Sequence, residues 1–140
     1  MSADAHMNIY QPLPREHKNL PGTPRIDYDI TNPVKAICGG KPAGPIAAIY
    51  AAGSSIDVKI EGSTPHDGGH CQFALSYDGG KTFVVLRDVV GNCITGSREY
   101  SVLLPADVPS ANNAVFAWAW INATGNREYY MNCADVIIKG

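Results

Sequence analysis

Ser55–Glu61 alternates Ile56, Val58 and Ile60 with Asp57, Lys59 and Glu61, so one side of this stretch is apolar and the other charged. A period of two puts successive side chains on opposite sides of an extended chain, the pattern of a half-buried β-strand. The pattern recurs downstream. Cys71–Tyr77 and Thr82–Val90 follow, and Tyr100–Leu104, Ala114–Asn122 and Tyr129–Lys139 bring the total to about six or seven strands, separated by Gly, Pro, Asn and Ser. Between the second and third, Asp78-Gly79-Gly80 supplies residues that tolerate positive φ, so these two strands form a hairpin. Upstream, Pro12, Pro14, Pro21, Pro24, Pro33, Pro42 and Pro45 forbid a long helix and interrupt any central strand, and residues 6–45 read as irregular. One short helix fits there, capped by Asn32, with Pro33 in its first turn and Gly39-Gly40 at its end. The expected fold is all-β: an antiparallel immunoglobulin or fibronectin type III-like β-sandwich with irregular loops and at most short helices.

The 140 residues suit one domain, and we expect residues 6–140 to form it behind a leader of residues 1–5. Eleven basic against 13 acidic residues give a formal charge of -2 with no basic patch, which argues against a nucleic-acid partner. No apolar run approaches the roughly 20 residues of a membrane helix, so no membrane partner is expected. The four cysteines, Cys38, Cys71, Cys93 and Cys133, contain no C-x-x-C pair and do not read as a zinc site. Two disulfides formed in an oxidising compartment fit better, with the pairing open on these grounds. Ala3-Asp4-Ala5 is an A-x-A tripeptide of signal-peptidase type immediately before His6, and a cut there makes His6 the first residue. Asn122-Ala123-Thr124 is an N-glycosylation sequon at a strand end, in keeping with secretion.

Within Ala114–Asn122, Phe116, Trp118 and Trp120 share one face and Ala117, Ala119 and Ile121 the other. Both faces are apolar, so this reads as a central strand buried on both sides, its tryptophans serving as core and not as a sugar platform. Ser76-Tyr77-Asp78-Gly79-Gly80-Lys81-Thr82-Phe83 is similar to the Asp-box of sialidases, here a single copy whose Asp78 binds loop amides in a structural turn. His66 and His70 stand four apart in a glycine-containing loop, a setting from which histidines act as metal ligands or general bases. No Gly-x-Ser-x-Gly elbow, Walker loop, H-E-x-x-H or Rossmann fingerprint is present.

The segment Trp118-Ala119-Trp120-Ile121-Asn122-Ala123-Thr124-Gly125-Asn126-Arg127-Glu128-Tyr129-Tyr130-Met131-Asn132-Cys133-Ala134-Asp135-Val136 resembles W-x-W-x-N-x-x-G-N-R-E-x-Y-M-N-C-A-x-V, the carboxy-terminal core motif of the fungal lytic polysaccharide monooxygenases of auxiliary activity family 11. Upstream, His66, Gly68-Gly69-His70-Cys71-Gln72 and Ser76-Tyr77-Asp78 resemble that family's H-x-G-G-x-C-Q and S-Y-D segment. Gly91-Asn92-Cys93 is similar to its G-G-C-P, and His6-Met7 through Pro12 and Pro14 to its mature start.

The resemblance implies a histidine brace holding one copper ion. His6 would give its amino-terminal amine and its ring, His66 the second ring, and Tyr130 the axial position, with Glu128 beside it and Arg127 adjoining. Glu128 and Tyr130 are two apart and project from one strand face, while Arg127, Tyr129 and Met131 point oppositely. His70 falls at a variable position of the motif and His17 matches nothing, so both stay outside the ligand set. Three nitrogen donors suit both copper oxidation states. An internal amide nitrogen is a poor ligand, so the brace requires cleavage after Ala5. The resemblance also implies disulfides Cys71–Cys93 and Cys38–Cys133. The activity it implies is oxidative cleavage of a β-linked, insoluble polysaccharide such as chitin by a secreted monomer, using O₂ or H₂O₂ and an external electron donor. The alternative is a non-catalytic copper-binding or carbohydrate- or cell-wall-binding protein on the same scaffold.

Overall fold

The structure, a computed structural model, describes residues 7–17, 37–62, 68–122 and 129–140, and of Asn122, Tyr129 and Tyr130 the backbone alone. Eight strands run through these residues: β1 (Met7–Gln11), β2 (Ala48–Ala51), β3 (Ser55–Gly62), β4 (Gly69–Ser76), β5 (Val84–Val89), β6 (Glu99–Leu103), β7 (Ala111–Asn122) and β8 (Tyr129–Lys139). They form a three-stranded sheet, ordered β1-β3-β6, and a five-stranded sheet, ordered β2-β8-β7-β4-β5. Side chains that alternate inward from both sheets meet between them. Met7, Ile9, Ile56, Val58, Ile60 and Val102 from the small sheet pack on Phe73, Leu75, Phe116, Trp118, Trp120 and Val136 from the large one. This is the β-sandwich that the alternation of Ser55–Glu61 and its successors predicts.

Three expectations need correction. Residues 6–45 are not irregular throughout, because Met7–Gln11 is a strand. Its Met7 and Ile9 alternate into the core, and it sits at the edge of the small sheet, where a strand can end at Pro12 without breaking a ladder on its outer side. The sandwich is not wholly antiparallel, since β2 pairs with β8 in parallel, Ala48 opposite Val136 to Ala51 opposite Lys139. Four residues of Ala-Ile-Tyr-Ala carry too little alternation for β2 to stand out from its surroundings. Strand β7 is central as expected, with Phe116, Trp118 and Trp120 fully buried, but its second face is covered only in part. Val115 and Ala117 lie under Cys38, Met131, Cys133 and Phe83, whereas Ile121, nearer the strand's end, is 41% exposed. The helix expected from Asn32 falls mostly outside the described residues. Its last turn, Cys38–Gly40, is a single 3-10 turn.

Cys38 is bonded to Cys133, tying that turn to β8 across 95 residues, and Cys71 to Cys93, tying β4 to the segment beyond β5. On the chain-entropy model such closures restrict the unfolded chain by about 5 and about 3 kcal/mol respectively. A second tie runs from the amino-terminal segment to β8. The Arg15 backbone N–H donates to the Cys133 carbonyl (2.7 Å), and its guanidinium grips the Asp135 carboxylate through Nε (3.0 Å) and one Nη (2.8 Å). The other Nη donates to the Lys41 carbonyl, and the Gly44 N–H donates to Asp135 Oδ2 (both 3.0 Å). Both side chains are buried, at 8% and 9% exposure, so this pair holds residues 12–17 against the sandwich from within.

The turn between β4 and β5 is organised by Asp78. Its Oδ1 accepts the Lys81 and Thr82 N–H groups and the Ser76 hydroxyl, and its Oδ2 accepts the Thr82 hydroxyl at 2.6 Å. Hydrogen bonds from Thr82, then Ser76 and Lys81, favour the carboxylate and lower the Asp78 pKa to about 2. A carboxyl depressed from its unfolded value stabilises the fold above about pH 4, and that contribution is lost as the pH falls towards 2. Thermal unfolding followed from pH 5 to pH 2 should therefore decline less steeply in Asp78→Asn than in the parent chain.

Candidate metal centre

Among the described residues no three His, Cys, Asp or Glu side chains come together as a metal site. His6, His66, Arg127 and Glu128 lie outside the described residues, and of Tyr130 only the backbone is described. Their flanks are described, and these converge. Met7, next after His6, opens β1 opposite Gly62, the last residue of β3 before the segment that holds His66. Gly69, just beyond that segment, opens β4 opposite Asn122, the last residue of β7 and the sequon asparagine. Tyr130 stands in β8 opposite Trp120 of β7. The chain therefore crosses from the small sheet to the large one, and turns from β7 into β8, at one end of the sandwich, the end at which β1 begins.

Several contacts fix that end. The buried Trp120 indole donates through Nε1 to the Gly68 carbonyl (3.0 Å), so the residue two after His66 is anchored on the strand facing Tyr130. The Cys93 N–H donates to the Gly69 carbonyl (3.3 Å), and the Trp118 indole N–H reaches Cys71 Sγ (3.1 Å). The two indoles stack with centroids 5.8 Å apart. Gly68 is required here, since its φ is +82° and a Cβ on it would lie 2.8 Å from the Cys93 carbonyl oxygen and 2.9 Å from Thr95 Oγ1. Gly68→Ala should lower stability by at least the roughly 1–2 kcal/mol of a left-handed backbone, read as a lower unfolding midpoint in denaturant.

Sequence reasoning passed over two residues at this end. Asn132 Oδ1 accepts the Ile9 N–H (2.9 Å) and Asn132 Nδ2 donates to Asn8 Oδ1 (2.8 Å), which joins β1 of the small sheet to β8 of the large one. Asn132 lies inside the quoted motif string, but nothing in the alternation of Met7–Gln11 marks Asn8 as a buried residue. The remaining histidines stand apart. His17 is buried with Nε2 3.6 Å from a Glu61 carboxylate oxygen, and His70 is exposed with Nδ1 accepting the Gly91 N–H at 3.0 Å.

No family model matches the chain. The AA11 family lytic polysaccharide monooxygenase A of Aspergillus fumigatus (strain CBS 144.89 / FGSC A1163 / CEA10) is 42% identical over 148 residues, taking in 99% of this chain and 67% of that protein. The chain belongs to the AA11 family of lytic polysaccharide monooxygenases. An AA11 family lytic polysaccharide monooxygenase of Aspergillus oryzae (strain ATCC 42149 / RIB 40) is 27% identical over 156 residues, 99% of this chain and 37% of that protein. The AA11 chain described here thus spans two thirds of the first relative's length and little more than a third of the second's. Among solved structures, an AA10 lytic polysaccharide monooxygenase from Streptomyces lividans superposes with a TM-score of 0.66 at 14% identity, over 93% of this chain and 99% of that one, a likeness of fold. AA11 enzymes are copper-dependent oxidoreductases. The imidazoles of His6 and His66 are nitrogen donors of the type that suits copper, and the described flanks of both residues meet at one end of the sandwich.

Proposed function

We propose that this chain, once cut after Ala5, is a secreted, monomeric copper monooxygenase that oxidatively breaks glycosidic bonds in an insoluble β-linked polysaccharide, chitin foremost, using an external electron donor with O₂ or H₂O₂. The observation that carries this reading is the 42% identity to an AA11 lytic polysaccharide monooxygenase across 99% of the chain. In this reading residues 1–5 are a leader and residues 6–140 the working domain.

His6 would hold copper through its freed amine and its ring, and His66 through its ring. Bound copper supplies the one-electron redox chemistry that turns the oxidant against the polymer. The protein's part is positioning. A free α-amine titrates near 8, so its proton is displaced at modest cost, whereas the amide nitrogen of an uncut Ala5–His6 bond has its lone pair delocalised. Tyr130 would stand beside the ion and shield it. Glu128, with Arg127, would orient the oxidant or support the Tyr130 ring.

Incubation of the copper-loaded, His6-initiated chain with chitin and ascorbate should release oxidised oligosaccharides detectable by mass spectrometry. The uncut chain should release none. Absence of oxidised products from chitin and from other β-linked polymers alike, with the protein still binding the polymer, would favour the non-catalytic binding role.

A further inference from the structure

The asparagine bridge between the sheets does something that apolar packing would not. Strand β1 is the edge of its sheet, and the Ile9 N–H lies on the side that has no strand neighbour. Asn132 takes the place of that missing strand, accepting the Ile9 N–H through Oδ1 while its Nδ2 holds the Asn8 side chain. Both amides are buried, Asn8 at 2% and Asn132 at 3% exposure. Among the described residues Asn8 Nδ2 has no hydrogen-bond partner. A buried amide donor without a partner is costly, and a pair of leucines would fill the same space without that cost. What the amides add is direction. A side chain bonded at once to a backbone N–H and to a second side chain allows one register between β1 and β8.

That register is set close to the proposed copper site. Asn8 is two residues after His6 and Asn132 two after Tyr130, a reach of about 7 Å along an extended chain in each case. We propose that Asn8 and Asn132 are positioning residues for the copper site, fixing the first strand against β8 so that the nitrogens of residue 6 are presented at position 130. The proposal rests on His6 as a copper ligand and Tyr130 as its neighbour, and it concerns residues that bind no metal themselves. Groups of this outer kind typically alter metal affinity about 10–100-fold when removed.

The test uses Asn132→Ala, Asn8→Ala and the double variant, each beginning at His6, with Val136→Ala as a control in the buried far half of β8. Cu(II) affinity is read by competition titration and the site by the paramagnetic resonance spectrum of the Cu(II) form. Asn132→Ala is expected to bind Cu(II) about tenfold more weakly with an altered spectrum. The double variant should lose less than the sum of the two single losses, because both remove the same bridge. Val136→Ala should lower the unfolding temperature while leaving affinity and spectrum as in the parent. Ile9 amide exchange, measured on the copper-free 140-residue chain, should quicken in Asn132→Ala.

Parental affinity and spectrum in both asparagine variants would overturn the proposal, as would an equal loss in Val136→Ala. If Asn132→Ala does not fold, Asn8→Ala decides, because it leaves the Ile9 bond in place. Failure of the His6-initiated parent to bind Cu(II) would instead remove the copper reading, and this proposal with it. Quickened Ile9 exchange without any change in copper binding would make the bridge purely structural and overturn the positioning role alone.

Discussion

The chain that begins at His6 will bind one Cu(II) ion more than about 100-fold more tightly than the 140-residue chain, as read by competition titration. Loss of a partner that merely supports a ligand costs about 10–100-fold, and the uncut leader removes the amine ligand itself. His66→Ala in the His6-initiated chain should cost at least as much, because an alanine offers no nitrogen in place of the ring. The affinity should also rise with pH up to about 8, since binding displaces the α-ammonium proton and the cost of displacing it vanishes above that group's pKa. Equal affinity for the cut and uncut chains, or indifference to His66→Ala, would rule out the brace. Product analysis on polysaccharide then becomes a separate question from metal binding.

The largest stability effect outside the disulfides is expected at the buried pair of Arg15 and Asp135. Asp135→Ala leaves a guanidinium at 8% exposure with, among the described residues, the Lys41 carbonyl as its remaining acceptor, and removes the acceptor of the Gly44 N–H. Breaking one side of a buried, bidentate pair costs about 3–5 kcal/mol. For a chain of this size that is a fall of roughly 10–20 °C in Tm by calorimetry. The paired change Arg15→Met with Asp135→Leu should recover much of the loss, because no uncompensated charge remains inside. A single-variant loss under about 1 kcal/mol would mean that water reaches the pair and that it adds little to the hold on residues 12–17.

Strands β3 and β4 were legible because each alternates over at least seven residues against a buried layer, and β7 and β8 because each is a long, mostly apolar run largely buried on both faces between turn residues. β1 and β2 escaped for opposite reasons. β1 alternates but is hidden by the prolines that follow it, which stop a strand without preventing one at a sheet edge. β2 is four residues of parallel edge, and its pairing partner β8 lies far along the chain, so nothing local announces it. The hairpin at Asp78 was readable from turn chemistry, and Asp78 does bind the loop amides.

The site is legible differently. No spacing of His6, His66, Glu128 and Tyr130 points to a common centre, and what the strands bring to one end of the sandwich is their described flanks, Met7, Gly62, Gly69 and Asn122. The motif string carried what periodicity could not. Arg15 and Asn8 were invisible for a related reason. A buried polar residue looks like a surface one until its partner is known, and their partners, Asp135 and Asn132, lie more than a hundred residues away.

The bond between Cys38 and Cys133 has a further consequence for a protein exposed to proteases. A cut anywhere between those residues, including in residues 63–67 or 123–128 at the proposed copper end, leaves both halves covalently joined. Such a nicked molecule would run as one band without reductant and as two with it. A cut in residues 18–36 is different, because the released piece carries His6, β1 and Arg15 but no cysteine. There the proposed ligand His6 would stay only by hydrogen bonds, the Arg15 pair and packing, so the disulfide guards the stretch between Cys38 and Cys133 and leaves β1 outside its protection.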